Sequence, residues 1–342
     1  MSELSTQSQT PDSSTESVEF HGMEVEARSQ WQLFRRKFLK HKLAMGSAVF
    51  LLLCIVAAVF AEQIAPYAYD QPDPVNAGSP PTFEAWHIFG TDQIGRDYFS
   101  RVIFGMRTSL QVAVIVAVLQ TVIGTVIGAI AGFYRGMVES LLMRFTDLVL
   151  VLPALALLLT ASAFFNARRP SQVAVIIGVI VWPSLARIVR GQFLSLREKE
   201  YIEAARAAGA GDMRIMLRHL LPNTAGPIIV NATLVAAIAI LFEATLAFLG
   251  FGVNPPTPAL GLLIENGRSA MQTRWWLVVM PGLTLVAIAL AINFVGDGLR
   301  DALDPTQQER VSRRRRNRRR AADRHRAAAE SSDSVPHLSG PA

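Results

Sequence analysis

Six blocks of apolar residues, separated by polar segments, dominate the sequence. They cover approximately residues 43–60, 109–133, 140–164, 173–189, 227–249 and 275–294. An α-helix rises ~1.5 Å per residue, so each block crosses, or nearly crosses, a hydrocarbon core about 30 Å thick. The pattern predicts an all-α polytopic membrane protein with six transmembrane helices.

Basic residues predict the orientation of these helices, since cytoplasmic loops are enriched in Lys and Arg. Positive charges precede the first block at Arg35, Arg36, Lys37, Lys40 and Lys42, and a second cluster lies between residues 313 and 326. The loop after the fourth block carries Arg190, Arg197, Lys199, Arg206, Arg214 and Arg218, which outweigh Arg168 and Arg169 after the third. Segment 62–108 has six acids and three bases. We therefore expect cytoplasmic termini and an extracytoplasmic segment 62–108.

The apolar blocks also divide the chain. Residues 1–30 are rich in Ser, Thr and acids and predict a disordered cytoplasmic extension. Residues 31–305 form the predicted transmembrane domain, with a cytoplasmic loop at about 190–225, and residues 306–342 form an Arg-rich tail expected to be disordered. The polar region before the first block is too long for a signal peptide, so a retained signal anchor is expected there.

Composition agrees with a membrane protein. Hydrophobic residues make up 51% of the 342 residues and charged residues 18%, below the ~25% of soluble domains. Cys54 is the only cysteine, which excludes a disulfide within the chain, and no Gly-Lys pair occurs, which excludes a Walker A loop. The net charge of +6 is concentrated beside apolar blocks, so we expect contact with lipid and not with nucleic acid.

The loop between the fourth and fifth blocks carries the clearest local pattern. Four residues at helical spacing share one face: Tyr201, Ala204, Ala205 and Ala208. Gly209 and Gly211 are expected to end this helix, and Asp212 to cap the next. The pattern predicts two short helices joined by a glycine bend. Its small-residue face suits either a groove on another protein or the surface of lipid headgroups.

This loop resembles the EAA loop of bacterial ABC importer permeases. The residues that match are Glu203, Ala204, Ala205, Gly209, Leu221 and Pro222, with His219 where the general pattern usually has Ile. The resemblance implies that the loop is a coupling helix that docks into an ATP-binding subunit.

Other segments resemble the dipeptide/oligopeptide/nickel permease family, specifically its C-type subunit. In the first loop the matching residues are Gly90, Thr91, Asp92, Gly95, Arg96 and Asp97. Further matches are at residues 248–252, 254–258 and 296–305, whereas Ala259 and Leu260 stand where the family usually has an aromatic residue. The resemblance covers roughly residues 32–305.

The resemblance implies a subunit of a di- or oligopeptide importer in the bacterial plasma (inner) membrane. Its implied partners are a second permease, two ABC ATPase subunits that bind ATP and Mg, and an extracytoplasmic substrate-binding protein. The chain itself shows no catalytic set, so neither enzymatic activity nor a cofactor is expected. Import of nickel or another small solute stays open, as does a membrane scaffold without transport activity.

The residues of the first loop allow a local interpretation of their own. Gly90 and Gly95 permit turns, and Asp97 is expected to cap the helix that follows. We expect His87 to be a hydrogen-bonded loop residue. The charged residues predict a set of exposed ion pairs that each contribute little: Asp92, Arg96, Asp97 and Arg101. Two roles remain open for the loop, which are to hold the outer mouth or to contact the binding protein.

Polar residues inside apolar blocks are costly and usually face a partner or a watery path. Glu243 and, about three turns earlier, Asn231 lie in the fifth block. One hypothesis places Glu243 at the subunit interface or on the pathway, where it binds a cationic group. The alternative is a structural hydrogen bond to a neighbouring helix. Arg144 and Asp147 are expected to form a structural i, i+3 pair.

Overall fold

A computed structural model describes residues 35, 37–83 and 85–303 of the chain. The helices are α1 (Lys42–Val59), α2 (Ala61–Ile64), α3 (Tyr98–Tyr134), α4 (Gly136–Val151), α5 (Ala154–Phe164), α6 (Pro170–Val181), α7 (Pro183–Arg197), α8 (Glu200–Ala207), α9 (Asp212–Ile215), α10 (Leu221–Phe248), α11 (Leu260–Gly267) and α12 (Trp276–Leu303). Within this part of the chain no β-strand forms, and the predicted all-α membrane class is confirmed. The predicted extension and tail lie outside the described residues.

Four helical runs in the described residues are long and apolar enough to cross a membrane. They are α1, α3, α12 and the continuous run Asp212–Phe248, in which α9 passes into α10 through a π-helical turn, Met216–Leu220. The predicted third and fourth spans are bent pairs: α4 and α5 meet at 87°, and α6 and α7 at 43°. The count reaches six when each bent pair is one span.

Proline accounts for both bends. Pro153 is the N-cap of α5, and Pro183 is the first residue of α7. Proline has no backbone N–H, and its ring clashes with the preceding turn, so a helix that reaches it bends or stops. The apolar pattern runs through both positions and therefore predicted a single span in each case.

Helix α3 begins earlier than the apolar pattern predicts. It starts at Tyr98, not near Ser109, because the Asp97 side chain accepts a hydrogen bond from the Ser100 N–H and caps the first turn. The 37 residues of α3 extend about 55 Å, more than the thickness of a hydrocarbon core.

A seam of three glycines brings α3 against α7. A Cβ at Gly128 would lie 2.5 Å from the carbonyl oxygen of Ala186. The same addition at Gly124 would lie 2.9 Å from the Trp182 carbonyl oxygen, and at Gly132 2.7 Å from the Cβ of Phe193. Small residues at a spacing of four let two helix backbones approach closely, so α3 and α7 pack backbone to backbone.

The two ends of α3 lie in different surroundings. At its N-terminus, residues 65–83 and 85–98 pack against residues 250–277, and we call this region the loop end. At its C-terminus, residues 133–136 meet residues 197–222, and we call this region the hairpin end. One continuous helix thus joins the two regions in which the sequence places candidate functional residues.

Candidate functional site

The predicted glycine bend is present at the hairpin end. Helix α8 stops before Gly209, whose φ of +82° lies in the left-handed region that costs a residue with a Cβ energy. The Gly209 N–H donates to the Arg206 carbonyl at 2.9 Å, and the Ala210 N–H donates to the Ala205 carbonyl at 3.0 Å. These bonds satisfy the last carbonyls of α8 and turn the chain back sharply.

The start of the second helix differs from the prediction. Gly211 is the N-cap of α9, and Asp212 is its first residue, so the predicted capping role of Asp212 is wrong. The N-cap residue of a helix has an extended backbone, and Gly211, with φ of −70° and ψ of 159°, already has this conformation. The helix therefore begins one residue earlier than a cap at Asp212 would allow. In the π-helical turn, the Leu221 N–H bonds to the Met216 carbonyl, and Pro222 enters the helix immediately afterwards.

The hairpin has a buried base and an exposed face. Ile202, Ile215 and Leu220 are fully buried in a cluster that includes Phe133 and Phe193. Most of the predicted coupling residues lie on the outer surface, with Ala205 and Leu221 half-buried: Tyr201, Glu203, Ala204, Ala205, Ala208, Gly209, Leu221 and Pro222. The apolar base fixes the hairpin and leaves its small side chains available to another molecule.

An ion pair at the surface ties the hairpin to the end of α3. The Arg135 Nη2 lies 2.5 Å from the Glu198 Oε1, and both side chains are largely exposed. This hydrogen bond, with the charge of Arg135, lowers the pKa of the Glu198 carboxyl. The two residues lie 63 positions apart in the chain, so no local sequence pattern predicts this pair.

At the loop end, Asp92 is the centre of a buried polar network. Its carboxylate accepts from the Arg96 Nε at 2.6 Å, the Arg101 Nη1 at 2.8 Å and the Arg96 N–H at 2.9 Å. Asp92 is 7% exposed and Arg101 3% exposed. The prediction of exposed, weak ion pairs is therefore wrong, because the loop folds over the first turn of α3 and encloses them.

Asp97 and His87 form a second buried contact at the loop end. Asp97 caps α3 as predicted, accepting from the Ser100 N–H and Oγ at 2.7 Å each. The His87 Nδ1 lies 2.8 Å from the other carboxylate oxygen, and the Tyr67 ring stacks on the imidazole at 4.9 Å. His87 is thus a hydrogen-bonded loop residue, as predicted.

The loop is also fixed to α11 and α12. The Trp276 Nε1 donates to the Thr91 carbonyl at 3.2 Å. The Tyr98 hydroxyl lies 2.9 Å from the Leu263 carbonyl oxygen and 2.8 Å from that of Leu277. Gly90 and Gly95 have φ of +74° and +85°, in agreement with the predicted turns. The loop end is therefore a braced structure and not a set of free loops.

Glu243 and Asn231 lie between α10 and α3. Glu243 is fully buried, and its Oε2 accepts from the Ser109 Oγ at 2.9 Å. The Asn231 Oδ1 accepts from the Gln120 Nε2 at 3.1 Å. The hydrogen bond to Ser109 is the contact that the structural alternative predicts. The placement of Glu243 at the subunit interface or on the pathway stays a prediction.

Two further findings concern charged residues. Asp147 pairs with Arg187 of α7 at 2.5 Å, an interhelical contact in place of the predicted pair with Arg144. Among the residues that the structure describes, no three His, Cys, Asp or Glu side chains come close enough to hold a metal ion.

Comparison with known proteins identifies the family. Residues 124–308, more than half of the chain, match the model of the binding-protein-dependent transport system inner membrane component. The chain belongs to this family of transport permeases. Residues 29–81 of the permease also match the N-terminal transmembrane domain of oligopeptide transport permease C.

Curated relatives extend over most of the permease. The oligopeptide transport system permease protein OppC of Escherichia coli K12 is 43% identical over 283 residues, which are 83% of this chain and 93% of the relative. OppC of Salmonella typhimurium LT2 is 41% identical over the same shares. The glutathione transport system permease protein GsiD of Escherichia coli O6:K15:H31 is 40% identical over 281 residues, 82% of this chain and 92% of the relative. The predicted family is confirmed.

Proposed function

We propose that the permease is the C-type subunit of an ATP-driven importer of di- and oligopeptides in the bacterial plasma membrane. Two of its relatives are named as oligopeptide permeases and a third as a glutathione permease. The substrate class comes from these names and from the resemblance of the loop and the EAA segment.

The proposed assembly contains a second permease, two ABC ATPases that bind ATP and Mg, and an extracytoplasmic binding protein. The translocation pathway lies between the two permeases, and both termini of this chain are cytoplasmic. Closure of the ATPases moves the hairpin end, and the permeases alternate between inward-open and outward-open states.

The hairpin end carries this proposal. It presents Tyr201, Ala204 and Ala208 on an exposed face while Ile202 holds it to the helices. A short helix with small side chains fits closely into a groove. The buried apolar base of the hairpin is closely packed, so a displacement of the hairpin also displaces the helices that it contacts. The braced loop end, on the opposite side, is suited to receive a binding protein because it does not need to order on contact.

The first experiment is gentle purification of the tagged permease from native membranes, with mass spectrometry of its partners. We expect a second permease, P-loop ATPases and a binding protein. The binding protein is then titrated with peptides and with nickel, and the proposed substrate class requires that it retain peptides. Retention of nickel alone would show that nickel, and not peptide, is the substrate. A permease that purifies without partners, while a control transporter purifies intact, would favour the membrane scaffold.

The hairpin surface is tested separately with Ala204→Trp in the reconstituted complex. We expect peptide uptake to fall roughly tenfold or more, as for the loss of a central interface contact. Ala207→Trp is the matched control, because Ala207 is exposed on the same helix but lies outside the small-residue face. Equal uptake by the two variants would argue against docking through this face.

A further inference from the structure

Phe133, at the end of α3, contacts residues on both sides of the turn between α7 and α8. The Arg197 guanidinium donates to the Phe133 carbonyl and lies 5.5 Å from the centre of its ring. The Arg206 guanidinium lies 5.9 Å from the same ring. Phe133 itself is 3% exposed and packs in the cluster that contains Ile202.

These contacts are directional. The last carbonyls of a helix have no intrahelical donor and carry partial negative charge, so the Arg197 guanidinium is held at the end of α3 by hydrogen bonding and by the helix dipole. The ring face adds a cation–π attraction. Arg197 is the last residue of α7, and Arg206 lies in the last turn of α8. Movement of α8 relative to α3 must therefore break the Arg206 contact or move Phe133 with it, and movement of the turn between α7 and α8 acts in the same way on the Arg197 contacts.

The rest of α3 is built to carry such a movement. The glycine seam packs α3 against α7 with backbone atoms in contact, which leaves little room for sliding. At the other end, Asp97, Tyr98 and Arg101 bind α3 to the loop end. A displacement at the hairpin therefore reaches the loop end through one continuous helix.

We propose that Phe133 and Arg197 are positioning residues that pass the displacement of the hairpin to α3. Together with Arg206 of α8, they form a latch that joins the C-terminus of α3 to the turn between α7 and α8. In this proposal they act on the helices and not on substrate or nucleotide. The proposal rests on the proposed function, since it assumes that partner ATPases move the hairpin.

The test uses the complete reconstituted importer with its binding protein, and it measures peptide uptake and ATP hydrolysis together. Arg197→Lys keeps the charge but removes the planar guanidinium, and Phe133→Leu keeps an apolar side chain but removes the ring face. We expect each to lower uptake per ATP hydrolysed about fivefold, the scale of a residue in a coupling network. The ATPases should still co-purify in normal amounts.

Arg187→Lys is the matched control. Arg187 is also on α7 but pairs with Asp147 of α4, away from the hairpin. It should change uptake per ATP by less than about twofold. The latch is overturned if Arg197→Lys and Phe133→Leu match this control. It is also overturned if the ATPases no longer co-purify, since the two residues would then build the docking surface and not transmit its movement.

Hydrogen exchange of the purified permease separates this proposal from the proposed function. In Arg197→Lys, the amides of residues 200–208 should exchange faster than in the wild type, and in Arg187→Lys they should not. Unchanged exchange removes the latch whatever the complex transports. A third outcome combines faster exchange in Arg197→Lys with a wild-type complex that imports no peptide. The contacts of Arg197 with Phe133 would then hold the hairpin in place, but both the proposed function and the role of the latch in transport would be wrong.

Discussion

At the loop end, Asp92 and Arg101 are paired in the interior, whereas at the hairpin end Arg135 and Glu198 are paired at the surface. A buried pair that loses one partner leaves an uncompensated charge, and this makes the loop end resist rearrangement. An exposed pair is screened by water and salt and is easily exchanged for another.

The other contacts of the two ends show the same contrast. The loop end is joined to α11 and α12 through Trp276 and Tyr98, while the hairpin is held by its apolar base and by contacts with the end of α3. The two ends therefore differ in how firmly they are held. The contacts of the loop end keep it in one geometry, and in the proposed function the hairpin end presents the surface that moves with a partner.

The largest effect is expected from Asp92→Ala. It leaves the Arg101 guanidinium buried without its carboxylate, and loss of one partner of a buried pair costs about 3–5 kcal/mol. Thermal unfolding of the detergent-solubilised permease should show a large fall in stability. Glu198→Ala at the hairpin end should leave the unfolding temperature unchanged. Equal losses for the two variants would remove the distinction between the ends.

The seam that joins the two ends gives the next largest effect. Gly128→Ala places a methyl group against the Ala186 carbonyl and should destabilise the permease by about 1–3 kcal/mol. Gly191→Ala on α7 is the control, because a Cβ there meets no described atom within 4 Å. It should stabilise the helix by up to about 1 kcal/mol. Unfolding temperatures that move in the same direction would show that α3 and α7 are not tightly packed.

The sequence predicted the helices better than their surroundings. Every residue of a span tends to be apolar, so the apolar blocks predicted where α1, α3, α10 and α12 lie, although α3 and the run that contains α10 begin earlier than their blocks. The bends at Pro153 and Pro183 had a local signal, but the angles of 87° and 43° depend on packing against other helices. The glycine at the hairpin bend was predicted because its left-handed conformation is a local requirement.

Contacts between distant residues account for most of what was missed. Nothing near Asp92 in the sequence indicates that residues 250–277 cover the loop, so its charges were expected at the surface. Arg197 was interpreted only as a topological charge, since its partner Phe133 is 64 residues earlier. Asp212 is a good capping residue, yet Gly211 before it already takes the cap position.

A smaller, local effect is expected at the hairpin bend. Gly209→Ala puts a Cβ on a residue with φ of +82° and should raise the free energy of the hairpin by about 1 kcal/mol. Hydrogen exchange of the amides of residues 200–208 should then accelerate about fivefold, while the global unfolding temperature stays nearly constant. In Gly211→Ala, where φ is −70°, the exchange should be unchanged. A Cβ at either position meets no described atom within 4 Å, so neither variant introduces a clash. Accelerated exchange in both variants would show that the left-handed φ of Gly209 is not the cause.

The smallest effect concerns pH at the hairpin end. The hydrogen bond from Arg135 lowers the pKa of the Glu198 carboxyl below its ordinary value of 4.5. A carboxyl with a lowered pKa contributes its full stabilisation above the ordinary value and loses it as the pH falls through the lowered one. The distribution of distances between spin labels at positions 137 and 207 should therefore stay constant from neutral pH down to 4.5 and broaden only below that pH. Glu198→Gln should remove this dependence on pH, and a transition near neutral pH would show that another group controls the hairpin.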